Sequence, residues 1–326
     1  MDDVENIRKN ILSTLIYYNI LDFPLTSFEI WKYLTAAKGD AGEKKKVSLG
    51  DIYGVLESGK LGNRIEEYRG FYFLRGRKKL VGIRIQNDKN SIEKLKISEK
   101  VAWWLRFAPF VRMVAVTGTL AMKNTEPESD IDYFIILKKG RIFTGRLLVT
   151  AMAHILGRRR HGRKIKNRIC LNYYIADNSL EIKRQDLFAA NEYTFVFPLY
   201  GFYLFRKFLA ENAGWIRKYK PNWEIPEIAP ARYYVGKSSS SRLLQKAGET
   251  LINSLGGDRI EAWLKRKQIN RIEGNILTKK EGAYVEADDY NLIFLPEPQG
   301  PRIEEKYETV AGEIYSENIS YDESFG

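Results

Sequence analysis

The sequence predicts an α+β protein: a mixed sheet flanked by helices, preceded by a small helical unit and followed by a helical C-terminal region. Three observations carry that prediction. Two apolar segments, 110–116 and 131–137, are rich in β-branched residues and stop at polar ones, as buried strands do. Ahead of them stand two helix-capping signatures and a short aromatic hairpin. Behind them, apolar residues recur at helical spacing over long stretches.

The elements follow in order. Residues 7–18 place Ile7, Ile11, Leu15 and Tyr18 on one helical face. Asp22-Phe23-Pro24 breaks the pattern, and Thr26 with Glu29 forms a capping box for a second helix reaching Leu34. A lysine-rich loop is expected at 37–46, and Ser48 caps a third helix over 49–58. Two short strands flank Gly70 within 64–74. Three helices and a hairpin read as a winged helix-turn-helix. A charged stretch, 87–100, starts a connecting helix. The strands at 110–116 and 131–137 come next, then a basic helix over 145–156 and a third strand at 169–175. Residues 187–220 are helical and aromatic, 245–268 form another helix, and the acidic tail after 281 is at best partly ordered. The organisation is thus 1–95 winged-helix-like, 96–186 catalytic-type, 187–280 helical and 281–326 an acidic tail.

Composition narrows the function. The chain carries a net charge of +12, yet its last 46 residues hold twelve acidic and two basic side chains. A body of about +22 suits a polyanionic ligand such as a nucleotide or RNA. One cysteine, Cys170, excludes internal disulfides and multi-cysteine zinc sites and points to a reducing cytoplasm. Two histidines exclude a purely histidine-ligated catalytic metal. The acidic N-terminus is unlike a secretory leader, and no apolar run approaches bilayer length, so no membrane partner is expected.

The chemistry concentrates between 114 and 137. Val114-Ala115-Val116-Thr117-Gly118-Thr119 is followed eleven residues after Thr119 by Asp130-Ile131-Asp132. Alternate strand residues share a face, so Asp130 and Asp132 point the same way and can share a hard divalent cation, Mg²⁺ or Mn²⁺. Gly118 lets backbone approach a phosphate, and the amides and hydroxyl at Thr119 add donors.

This arrangement resembles the DNA polymerase β-like nucleotidyltransferase superfamily, especially its minimal members. Those show an apolar strand, Gly-Ser, a short spacer and Asp-x-Asp on the next strand. Gly118-Thr119 matches the first motif, and Ser129-Asp130-Ile131-Asp132 matches the second. The resemblance implies a palm-like domain and metal-dependent transfer of a nucleoside monophosphate from a nucleoside triphosphate to an acceptor. It places Asp130 and Asp132 as catalytic metal ligands, with Gly118, Thr119, Ser129 and Lys123 at the nucleotide. Where many minimal members carry Arg-Gly, this chain has Met122 and Lys123. Active members usually add a third carboxylate from a later strand. Here 169–175 offers Asn172 as a further metal ligand, with Asp177 just beyond. The alternative is a catalytically degenerate nucleotide- or nucleic-acid-binding regulator.

Other features carry paired readings. Between Tyr133 and Ala176 there are eleven basic residues and no acidic one. They form either a clamp for triphosphate or RNA, or a solvated loop balanced by the acidic tail. The third helix holds Asp51 and Glu57 against Lys60, which favours protein docking over DNA reading by the winged helix, although the hairpin offers Arg64, Arg69, Arg75 and Arg77. The aromatics from Tyr193 to Phe208 could stack bases, but their mixed helical spacing reads more readily as core or interface. His154 reads as packed, and Cys170 as an inert small hydrophobe.

Overall fold

The computed structural model describes residues 2–37 and 46–322, so most of the lysine-rich loop expected at 37–46 lies outside the described residues. The chain opens with α1 (Asp2–Ile20), which buries Ile11, Leu15, Ile16 and Tyr18. β1 (Leu25–Thr26), α2 (Ser27–Lys32) and α3 (Leu49–Glu57) follow. Thr26 and Ser48 form complete capping boxes with Glu29 and Asp51, satisfying amides that the first turn leaves unpaired. β2 (Ile65–Tyr68) and β3 (Phe71–Leu74) pair antiparallel, and β1 joins the other edge of β3. Ile30, Ile52 and Val55 close this first core over α1.

α4 (Lys79–Leu105) starts earlier than expected and runs unbroken across the anticipated boundary at residue 95. Its first half is tied to the N-terminal unit by Arg84, which pairs with Glu29 and lies 3.9 Å from the Phe23 ring centroid. Its second half buries Leu95, Val101, Ala102 and Leu105 against the sheet.

The remaining elements are β4 (Val111–Val116), α5 (Gly118–Ala121), β5 (Ile131–Leu137), α6 (Ile142–Ile155), β6 (Ile169–Ala176), α7 (Leu187–Phe195), β7 (Phe197–Tyr200), α8 (Phe202–Tyr219), α9 (Ser239–Ser254), α10 (Gly257–Glu273), β8 (Tyr284–Ala287), β9 (Asn291–Leu295) and α11 (Gln299–Asp322). The sheet runs β7-β4-β5-β6-β9-β8. It is mixed, because β5 and β6 are parallel and every other pair is antiparallel.

Alternation along β5 divides the two faces. Tyr133, Ile135 and Leu137 meet α4, α6 and α10, whereas Phe134 and Ile136 meet α7 and α8. Three expectations change. Residues 187–220 are not all helix: Pro198 interrupts them, and β7 becomes a sheet edge, where a missing amide is tolerated. Gly201 ends that strand at φ 80°, and a Cβ there would sit 2.2 Å from the Arg112 carbonyl. The expected helix over 245–268 is two, split where Gly256 takes φ 85°. The acidic tail is largely built: β8 and β9 extend the sheet, and α11 packs Ile303, Tyr307 and Ala311 into the core of α1. Its Glu286, Asp289 and Glu297 pair with Lys183, Lys265 and Lys280, which lie outside the basic segment.

Candidate functional site

β4 delivers Thr117 to the top of the sheet, and Gly118 turns the chain into α5 at φ 65°. The Thr117 amide donates to the Asp132 carbonyl at 3.1 Å, locking the turn to the start of β5. A Cβ on Gly118 would lie 3.0 Å from Asp132 Oδ2. Glycine is needed here both for its backbone angle and for its lack of bulk. Asp130 and Asp132 flank the first residue of β5 and are half-buried. Their carboxylate oxygens and Cys170 Sγ all lie within 4.8 Å of one another.

The third member comes from strand register. Asp132 stands opposite Cys170 in the parallel pair, and a bulge follows before Phe134 meets Tyr173. The extra residue on β6 lies between Cys170, which faces Asp132, and Tyr173; Cys170 and Asn172 both line a neighbouring cavity. Cys170 stands beside the carboxylates, two residues before Asn172, the further ligand that the sequence offers. The Cys170 thiol is not an isolated hydrophobe. It donates to Asp132, and burial beside the two aspartates pushes it up to about 12, so it stays protonated.

A carboxylate that sequence reasoning missed completes the arrangement. Glu192 on α7 accepts a hydrogen bond from the Gly118 amide. Burial and the neighbouring Asp132 raise its carboxyl to about 7. Burial and Asp130 likewise raise Asp132 to about 6. Like charges in a poorly solvated pocket hold protons more tightly. One signal was available: Glu192 is the single acidic residue in the apolar, aromatic stretch 187–210. α7 is positioned by Asp186, which caps it through the Ala189 amide, and by Tyr18, whose hydroxyl donates to Asn191 at 2.5 Å.

The loop before Asp130 is held from below. Lys94 on α4 is buried, and its Nζ donates to Pro127 O (3.1 Å), Ser129 O (2.7 Å) and Asn167 Oδ1 (2.9 Å). Ser129 bonds Thr125 and the Glu126 carbonyl, so its side chain shapes the loop. Thr119 is exposed beside Gly118, and Lys123 is exposed just past α5 with φ 55°. Arg160 closes one side: its Nη1 lies 2.5 Å from Asp130 Oδ2 and 3.6 Å from Cys170 Sγ. His154 is exposed near the end of α6, not packed as expected, with its ring centroid 6.1 Å from that of His161. Tyr193, Phe205 and Phe208 are core, while Tyr203 is exposed.

Two carboxylates offer oxygen donors of the kind a hard divalent cation takes, with the Cys170 thiol beside them. Searches against family models, curated proteins and solved structures return no match to this chain.

Proposed function

We propose that the chain is a metal-dependent nucleotidyltransferase that moves a nucleoside monophosphate from a nucleoside triphosphate to an acceptor, on a palm-like sheet. The observation that carries this reading is the convergence of Asp130, Asp132 and Glu192 on the Gly118 turn. Asp130 and Asp132 would hold Mg²⁺ or Mn²⁺, which when bound neutralises phosphate charge. Gly118 leaves room for phosphate oxygens, and Thr119 and Lys123 stand exposed on the same turn. An acceptor oxygen forms the new bond to the α-phosphorus as the bond to the β-bridging oxygen breaks, and pyrophosphate leaves with the electron pair. The proton of an acceptor hydroxyl goes to Glu192, whose raised affinity for protons suits a base near neutrality.

Arg160 favours a second reading, because it already neutralises Asp130. In that case the site binds nucleotide without turnover and acts as a regulatory module. The N-terminal unit fits a winged helix serving as a docking scaffold, since Arg77 and Arg75 are engaged by Asp22 and Glu66.

Titration calorimetry with ATP, GTP, CTP and UTP, with and without Mg²⁺ or Mn²⁺, tests both. Metal-dependent binding that disappears in Asp130→Asn is expected. Absence of metal-dependent binding for all four would overturn the proposal. Label transfer from the bound triphosphate to a component of a cell extract separates enzyme from binding module.

A further inference from the structure

On the far side of Arg160 and Cys170 from the carboxylates lies a cavity of about 740 Å³, within the range of small-molecule sites. α6, α10, β6 and the segment after α10 wall it. Its polar lining is cationic: Arg146, Arg159, Arg160 and Arg271 face it with His161, and no acidic side chain lines it among the described residues. Arg146 is half-buried, and among the described residues its guanidinium donates to Gln268 Oε1 at 2.9 Å. Burial, with Arg271 and Arg159 close by, lowers its proton affinity. Among the described residues, no carboxylate comes within ion-pair distance of Arg146, Arg159 or Arg271. Three guanidinium groups converging without counter-charge in a partly enclosed space cost free energy unless an anion joins them. Planar guanidinium forks match phosphate oxygens in pairs. The lining also holds apolar side chains: Leu171, Leu264, Ile272, Leu277 and Phe294.

We propose that this cavity binds a phosphorylated small molecule, its phosphate among Arg146, Arg159 and Arg271 and its body on the apolar side chains. Arg160 belongs to both the cavity and the Asp130 ion pair, so a ligand here ends beside the carboxylates. The ligand's identity as the acceptor of the transfer rests on the reading given under Proposed function; its binding does not. The lining offers aliphatic side chains and the single phenyl ring of Phe294 rather than a run of aromatics for successive bases, which favours a small organic phosphate over a nucleic-acid strand.

The test is titration of the full chain, without metal or nucleotide, with phenyl phosphate, inorganic phosphate, phenol and a ten-nucleotide single strand. Phenyl phosphate is expected to bind one site more tightly than either fragment. Arg271→Ala, on the exposed surface of α10, is expected to weaken it about tenfold or more, as loss of a charge-assisted contact does. Arg146→Met is expected to weaken it further, with its melting temperature recorded alongside. Unchanged affinity in both variants, no binding of phenyl phosphate, or binding of the strand alone would each overturn the proposal. Asp130→Asn distinguishes the two readings. It is expected to abolish metal-dependent triphosphate binding while phenyl phosphate still binds; loss of either signal in the wild type condemns only its own site.

Discussion

Two of the places where this molecule buries charge do so differently. Lys220, at the end of α8, is fully buried and has no carboxylate partner among the described residues. Its Nζ donates to Thr35 Oγ1 (2.9 Å), Tyr18 Oη (3.3 Å) and Tyr33 O (3.4 Å) and lies over the Tyr17 and Tyr18 rings. It is a closed, saturated joint between α8 and the N-terminal core. Asp132 and Glu192 are only half-buried, repel one another and share a turn with a glycine. Buried charge with every donor used holds a structure together. Buried charge that faces like charge is unstable until a cation arrives, and such sites concentrate where function does.

The largest expected effects break the second site. Asp132→Asn should lower any nucleotidyl transfer about 10³-fold or more, the scale of losing several kcal/mol of charge stabilisation. Glu192→Gln should lower it about 10²- to 10⁴-fold if Glu192 takes the acceptor proton. Stability should move the other way. Both carboxyls bind protons more tightly folded than unfolded, Asp132 at about 6 and Glu192 at about 7. The stability they contribute is full below their unfolded values and is lost as pH rises through 6 and 7. Denaturant melts of the metal-free protein should show that loss, on the order of 1–3 kcal/mol per group, and either substitution should flatten its share. Mg²⁺ at pH 8 should restore stability to the wild type only. A wild type whose metal-free stability stays level from pH 5 to 8 would separate Asp132 and Glu192 from each other.

The next effect concerns the floor of the site. Lys94→Ala strips a donor from three acceptors under the Asp130 loop. Leaving buried acceptors unpaired costs about 1–3 kcal/mol each before relaxation, so a loss of roughly 3 kcal/mol is expected in urea melts. Metal-dependent nucleotide affinity should fall with it, because the loop carries Ser129 and Asp130.

Much of this architecture was legible in the sequence, and the omissions have physical reasons. Capping residues Thr26 and Ser48 and the β-branched runs of β4 and β5 act locally, so spacing reveals them. The nearness of Asp130, Asp132 and Gly118 was legible because one turn and one strand pair join them. That Cys170 stands beside the carboxylates was not legible, because a bulge shifts register by one residue, and Ile169-Cys170-Leu171-Asn172 has no pattern that marks it. Glu192 is brought in by packing α7 across the sheet, sixty residues after Asp132, which no local period encodes. Lys94 likewise reads as one more charge on a charged helix.

The smallest effect sharpens the other half of the comparison. Burial lowers Lys220 to about 7, so the folded chain binds its proton less tightly than the unfolded chain. That penalty is present in full below pH 7 and is relieved as pH climbs toward the ordinary lysine range near 10.5. Lys220→Met keeps the aliphatic stem between the tyrosine rings and removes the titrating group. Replacing a buried ion by an apolar side chain of similar volume is often neutral or stabilising, by about 1–4 kcal/mol. Here it also strips a donor from Tyr33 O and Thr35 Oγ1, which opposes that gain. The net change at pH 7 should therefore fall within about 1 kcal/mol of zero. Its slope should not: wild-type stability gains a component that rises between pH 7 and 10, and the variant should lack it. Parallel curves for the two proteins would mean that the hydrogen bonds and ring faces hold Lys220 charged at neutral pH. The contrast between a saturated joint and an unsatisfied site would then rest on exposure alone.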